Sequence, residues 1–242
     1  MIGKDISLLM YSHSSYSDVW PLFVGQTEKY LSEIKKYAFV DGKQEMLPAD
    51  WNIISYDDEL SYNRRMAYGL RHINTKYCIL HHEDMPLYSA PQMDKLSELV
   101  DIMEKEKNVS FIRLIKNTLS GERPFKSYDN LFTVSAHSNL LFVVQPTIWR
   151  TDKLFEVYYK TEVNHIREFE NESHWTCLAH GIEGLYYYDG APQKGTYHFD
   201  SNIYPYVATA IVKGQWNMSG YPEELGDLGK TYSIDFSKRG TV

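Results

Sequence analysis

The sequence predicts an α/β protein built on a mostly parallel, doubly wound central sheet with helices on both faces. Two observations carry that prediction. Short apolar runs of strand length alternate with longer segments whose apolar residues recur at helical spacing. Three of those runs, over residues 6–10, 51–55 and 77–80, then stop in clusters of Ser, His, Asp and Glu. In sheets of this kind ligands gather beyond the carboxyl ends of the strands, so the pattern that predicts the fold also locates the site.

Residues 6–10 form the first expected strand, which enters the polar loop Tyr-Ser-His-Ser-Ser-Tyr-Ser. Residues 20–37 carry Leu22, Phe23, Tyr30, Leu31 and Ile34 at helical spacing and are expected as one helix. A second strand over 51–55 ends at Asp57-Asp58-Glu59, a helix follows over 62–73, and the strand over 77–80 stops at His81-His82-Glu83-Asp84. Further on, the pattern gives a helix over 93–106 and strands over 109–115 and 140–144, the latter leading to Trp149-Arg150. A helix over 161–180 closes at Gly181 as its C-cap, and an aromatic strand covers 185–188. Turn residues dominate beyond Gly190, with a helix expected over 204–212. No repeat, low-complexity tract or linker interrupts the chain. Residues 1–242 therefore read as one domain with an irregular C-terminal segment from about residue 190.

Composition narrows the function classes. The 242 residues are 43% hydrophobic and 24% charged, which is ordinary for a globular protein with a sizeable core. The net charge of −7 and the lack of a long Lys/Arg run argue against nucleic acid as a partner and against a polybasic membrane patch. An anionic nucleotide would then need a metal or local backbone donors. Twenty tyrosines stand out; they suit flat, hydroxylated ligands and equally suit half-buried packing. Cys78 and Cys177 both fall in apolar patterns and read as reduced core residues. No stretch approaches a transmembrane span and the N-terminus has no signal-peptide layout, so the expected location is cytoplasmic.

The most informative motif is His82-Glu83-Asp84. Carboxylates fixed at the end of a buried strand suit a hard divalent cation, Mg²⁺ or Mn²⁺, that bridges two phosphates and keeps open positions for substrate. The same residues would also make an ordinary solvated turn.

Ala67-Tyr68-Gly69-Leu70, then Thr75 to Leu80 and Glu83-Asp84-Met85-Pro86, resemble the central stretch of family-2-like GT-A glycosyltransferases. In that family a helix with an Asn-x-Gly-Ile pattern leads into a strand that ends in an Asp-x-Asp metal motif. Here Ala67 takes the place of Asn and His82 that of the first Asp, while Asp84 matches the last acid. Trp149-Arg150, the acidic Glu168-Phe169-Glu170-Asn171-Glu172 and the aromatic strand after Gly181 extend the resemblance over about residues 5–190. It implies a GT-A (Rossmann-like) fold and transfer of a sugar from a nucleotide-diphosphate sugar to a glycan or lipid-linked acceptor, with inversion. It also implies that Glu170, or Glu172 in reserve, is the general base. Donor contacts would fall on Ser12, His13, Asp57, Asp58, Arg65, Glu83 and Asp84. The metal would sit on Asp84 with His82, and His198 would be a further ligand. Trp149 is the expected platform for the acceptor.

Two other classes remain open. A sugar nucleotidyltransferase uses a similar sheet, but it calls for a Gly-rich, basic loop after the first strand, and residues 12–18 contain neither Gly nor Lys/Arg. A non-catalytic carbohydrate-binding protein derived from a transferase would explain the missing first Asp.

Overall fold

The structure, a computed structural model, describes residues 5–42, 46–121, 123–135, 137, 140–163 and 166–242. Its elements in chain order are β1 (Ile6–Tyr11), α1 (Trp20–Tyr30), β2 (Lys35–Val40), β3 (Asn52–Ser55), α2 (Tyr62–Leu70), β4 (Tyr77–His82), α3 (Met93–Lys105) and β5 (Val109–Arg113). Then come β6 (Leu131–Thr133), β7 (Thr147–Arg150), α4 (Thr151–Lys160), α5 (Ile166–Ala179), β8 (Glu183–Tyr187), β9 (Ile211–Val212), β10 (Gln215–Trp216) and α6 (Pro222–Thr231).

Eight strands form one sheet in the order β3-β2-β1-β4-β7-β5-β8-β6. Six run the same way; β7 is antiparallel to both β4 and β5, and β6 is antiparallel to β8. All six residues of β1 are buried, which marks a central strand covered on both faces. Its side chains alternate accordingly. Ile6, Leu8 and Met10 pack with Trp20 and Phe23 of α1 and Leu96 and Leu99 of α3. Leu9 and Tyr11 pack on the other face with Met66 of α2, Leu154 of α4 and Phe169 of α5.

Local chemistry sets several boundaries. Pro21 opens α1 at a position where its missing N–H costs nothing. Asp94 and Lys105 place charges of favourable sign at the two ends of α3. Gly181, at φ 60°, ends α5 as expected, and Ile182 donates its N–H to the Cys177 carbonyl at 2.9 Å. Buried Arg150 fastens β7 to its surroundings: Nε donates to the Val109 carbonyl at 2.9 Å and Nη2 to the Met103 carbonyl near the end of α3.

The structure corrects four expectations. The helix expected over 20–37 ends at Tyr30, because the apolar run Tyr37-Ala38-Phe39-Val40 becomes the buried strand β2, paired in parallel with β1. Residues 140–144 form no strand, since their backbone donors turn to side chains; Val144 N–H, for example, goes to Glu170 Oε1 at 2.7 Å. Residues 204–212 form no helix. They run extended beside the chain after β4, with Val207 N–H on the Pro86 carbonyl and Ala210 N–H on the Asp84 carbonyl. The helix expected over 161–180 begins at Ile166, with α4 as a separate helix before it.

The C-terminal segment has its own apolar cluster, in which Val207, Trp216, Tyr221 and Leu225 pack against Val19 and Leu22. Cys78 and Cys177 are buried free thiols. Among the described residues, no helix is long and apolar enough to cross a membrane.

Candidate functional site

At the carboxyl ends of β1 and β4, where Tyr11 pairs in register with His82, the chain leaves both strands into loops. An open cavity of about 750 Å³ forms there. Tyr11, His13, Tyr62, Arg65 and the His82-Glu83-Asp84 triplet line it, with Ile166 and Glu168 from the α5 side and Ile211 from the C-terminal segment.

An aromatic group braces one wall. Tyr11 stacks on Tyr56 with ring centroids 5.5 Å apart and meets Tyr62 edge-on at 5.2 Å. The Tyr62 hydroxyl lies 3.0 Å from His82 Nε2 and 3.1 Å from the Tyr158 hydroxyl. Burial pulls the His82 imidazole down to about 4, so the ring is neutral at physiological pH.

The carboxyls beside it behave differently. Burial raises Glu83 above the usual carboxylate range, and the charge of Asp84 adds to the effect; Asp84 is raised by burial as well. The Ser12 hydroxyl on Glu83 and the Ile211 N–H on Asp84 oppose these shifts without cancelling them. The pair is short of positive charge, and it retains protons toward neutral pH unless a cation supplies that charge. Two adjacent desolvated carboxyls facing an open cavity are chemically suited to a hard divalent ion.

Arg65 brings a positive charge to the same cavity. Arg65 Nη1 lies 2.8 Å from Asp58, its Nε donates to the Leu60 carbonyl at 2.7 Å, and the guanidinium sits 5.2 Å from the Tyr56 ring centre. His13 Nδ1 accepts the Ser15 N–H at 3.0 Å, which leaves the proton on Nε2. That nitrogen faces Asp41 at 3.2 Å and Asp58 at 3.3 Å. Among the described residues, His13, Asp41 and Asp58 are the one trio of potential ligands whose atoms all lie within 4.8 Å of one another.

Of the residues expected from sequence, His13, Arg65, His82, Glu83 and Asp84 meet in this cavity, with Asp58 bound to two of them. Others do not. Ser12 is fully buried and its hydroxyl accepts from Trp20 Nε1 at 2.7 Å, so it supports the wall and is closed to a ligand. Exposed Asp57 takes the Glu59 N–H at 3.0 Å and lies outside the lining. Trp149 is 2% exposed and sandwiched by Phe111 and Phe142, which rules it out as an acceptor platform. His198 lines a separate cavity, hydrogen-bonded through Nε2 to the Tyr221 hydroxyl at 2.7 Å, and does not join Asp84 and His82. Glu170 also lines that second cavity, whereas exposed Glu172 lines neither.

Nothing local in the sequence pointed to Arg239. It pairs with Asp18 at 2.5 Å, donates to the Ser15 carbonyl at 2.7 Å and adds positive potential at Glu83, although 221 residues separate it from Asp18. Tyr11 and Tyr62 were visible only as members of an abundant residue type.

No protein-family model matches the sequence, and no curated protein sequence is similar to it. Solved structures do match. Residues 1–349 of S. aureus TarS align with 95% of this chain at 10% identity and a TM-score of 0.51, and the chain spans 64% of the length of that fragment. A cytidylyltransferase from Leptospira borgpetersenii serovar Hardjo-bovis (strain JB197) aligns with 96% of this chain and 97% of its own length, at 9% identity and a TM-score of 0.51. At such identities the likeness is one of fold: a mostly parallel sheet flanked by helices, of the Rossmann-like GT-A type.

Proposed function

We propose that this chain is a glycosyltransferase that binds a nucleotide-diphosphate sugar in the 750 Å³ cavity and transfers the sugar to a hydroxyl of a glycan or lipid-linked acceptor. The observation that carries this reading is the desolvated Glu83–Asp84 pair at the end of β4, lining a cavity of ligand size together with Arg65 and His13. Asp84 and Glu83 would hold Mg²⁺ or Mn²⁺, and that ion would offset the charge of the departing diphosphate. His82 Nε2 is engaged by the Tyr62 hydroxyl, so that nitrogen can join only by giving up this bond. Arg65, His13 and Asp58 lie where they can engage the nucleotide.

Glu170 is the proposed base. It lines the second cavity, and its charge is felt by Tyr62 of the first. In a single displacement the acceptor oxygen bonds to the anomeric carbon, its proton passes to the carboxylate, and the bond to the diphosphate breaks with its electron pair on the diphosphate. Two buried free thiols fit a reducing, cytoplasmic setting.

A second reading, a sugar nucleotidyltransferase, is favoured by the alignment with nearly the whole of the cytidylyltransferase. The loop after β1, which offers no Gly and no Lys or Arg for a triphosphate, weighs against it. One experiment separates them. The protein is incubated with UDP-, GDP-, CDP- and dTDP-sugars, with and without Mn²⁺, and in parallel with CTP and free sugars. Metal-dependent release of one nucleoside diphosphate, reduced by roughly 10²-fold or more in Asp84→Ala, is the expected result. Pyrophosphate release from CTP would establish the second reading, and no turnover in either arm would leave a binding protein.

A further inference from the structure

A second cavity, of about 320 Å³, lies among the loop after β5, residues 140–145, the start of α5 and the extended stretch around residues 197–209. Gln145 and Tyr206 form part of its wall and are only 7% and 4% exposed. Gln145 Nε2 and the Tyr206 hydroxyl have no hydrogen-bond partner among the described residues. Buried polar groups are paired as a rule, and each one left unpaired is destabilising. Two such groups in one cavity wall are a property of a site whose partner arrives from outside.

The remaining polar groups indicate the partner's chemistry. Glu170 uses Oε1 on the Val144 N–H. Its second oxygen can accept a further hydrogen bond, whereas the Gln145 amide needs an acceptor. A hydroxyl group is both. No described Lys or Arg lines the cavity to pair with a phosphate or carboxylate, and the charge of buried Arg113 behind the wall is shared with Glu170 and the Leu140 carbonyl. At the rim stand Leu119 and Tyr197, 70% and 73% exposed, which suit the apolar face of a sugar ring. The volume lies at the small end of the range for ligand sites, matching one ring rather than a nucleotide sugar.

We propose that this second cavity binds a neutral, hydroxyl-bearing ring, a single sugar residue, through Gln145, Tyr206 and Glu170. The site stands on its own geometry and holds whether or not the first cavity takes a nucleotide.

The test is binding of glucose, galactose, mannose and N-acetylglucosamine to the full chain without nucleotide, followed by calorimetry and thermal shift, with inorganic phosphate as the anionic control. At least one sugar binds and phosphate does not. Gln145→Met and Tyr206→Phe fold with unchanged or raised Tm, because each removes an unpaired polar group, and each weakens sugar binding about tenfold. The proposal is overturned if no sugar in the panel binds, if phosphate binds in their place, or if both wall variants retain full affinity.

Discussion

His81 and His82 are adjacent, yet they face opposite sides of β4 and do different things. His81 is 1% exposed; its Nδ1–H donates to the Met85 carbonyl at 3.1 Å, and its Nε2 therefore accepts from the Tyr204 hydroxyl at 2.8 Å. Both ring nitrogens are satisfied in the neutral form, and burial lowers the group to about 3. The folded state thus binds fewer protons than the unfolded chain between that value and the ordinary imidazole value near 6.5. The stability His81 contributes is complete above about pH 6.5 and is lost as pH falls through this window. Thermal melts from pH 7 to 4 should show wild type losing stability more steeply than His81→Phe, although the variant starts lower; parallel curves would refute the assignment. Residue identity alone reveals part of this. The His82-Glu83-Asp84 triplet was legible because charge ends an apolar run. Ser12 was misassigned because a hydroxyl after a strand looks the same in sequence whether it faces a ligand or, as here, the Trp20 indole.

Among the elements, β8 shows how closely the sheet is packed. A Cβ on Gly184 would fall 2.2 Å from the Phe111 ring, which itself lies 4.4 Å from the Trp149 ring centre. Gly184→Ala should destabilise the protein by about 1–3 kcal/mol through overpacking, read as a lower urea midpoint with little change in slope. An unchanged midpoint would mean that Phe111 moves freely. The helices and central strands were legible where one periodicity ran alone. β2 was hidden because Ile34 and Tyr37 continue the helical spacing of α1 across its end. The stretch over 204–212 was misread because Tyr204, Val207 and Ile211 mimic a helix face, while the N–H groups of Val207 and Ala210 go to Pro86 and Asp84, far earlier in the chain.

At the scale of the whole molecule, the C-terminal segment completes the first cavity. Ile211 lines it, and Arg239 ties the loop after β1 to the end of the chain through Asp18 and Ser15. Arg239→Ala should cost only about 1 kcal/mol of stability, as expected for a partly exposed ion pair. It should nevertheless weaken the Tm increase produced by the preferred nucleotide, because the loop that carries His13 loses its anchor; an undiminished increase would show that the loop holds itself. No sequence pattern foretold this closure, since the partners lie at opposite ends of the chain and nothing local specifies their meeting.

The reversed strand β7 joins two halves of the sheet, with β3-β2-β1-β4 on one side and β5-β8-β6 on the other. β4 is complete at His82, yet its neighbour on that side arrives only with Thr147–Arg150. While the chain is being synthesised, β4 therefore presents an unpaired edge in which five of six residues are destined for burial. Such an edge is a template for pairing with another chain. Until β7 emerges to cover it, the half-made protein is a natural client for chaperones.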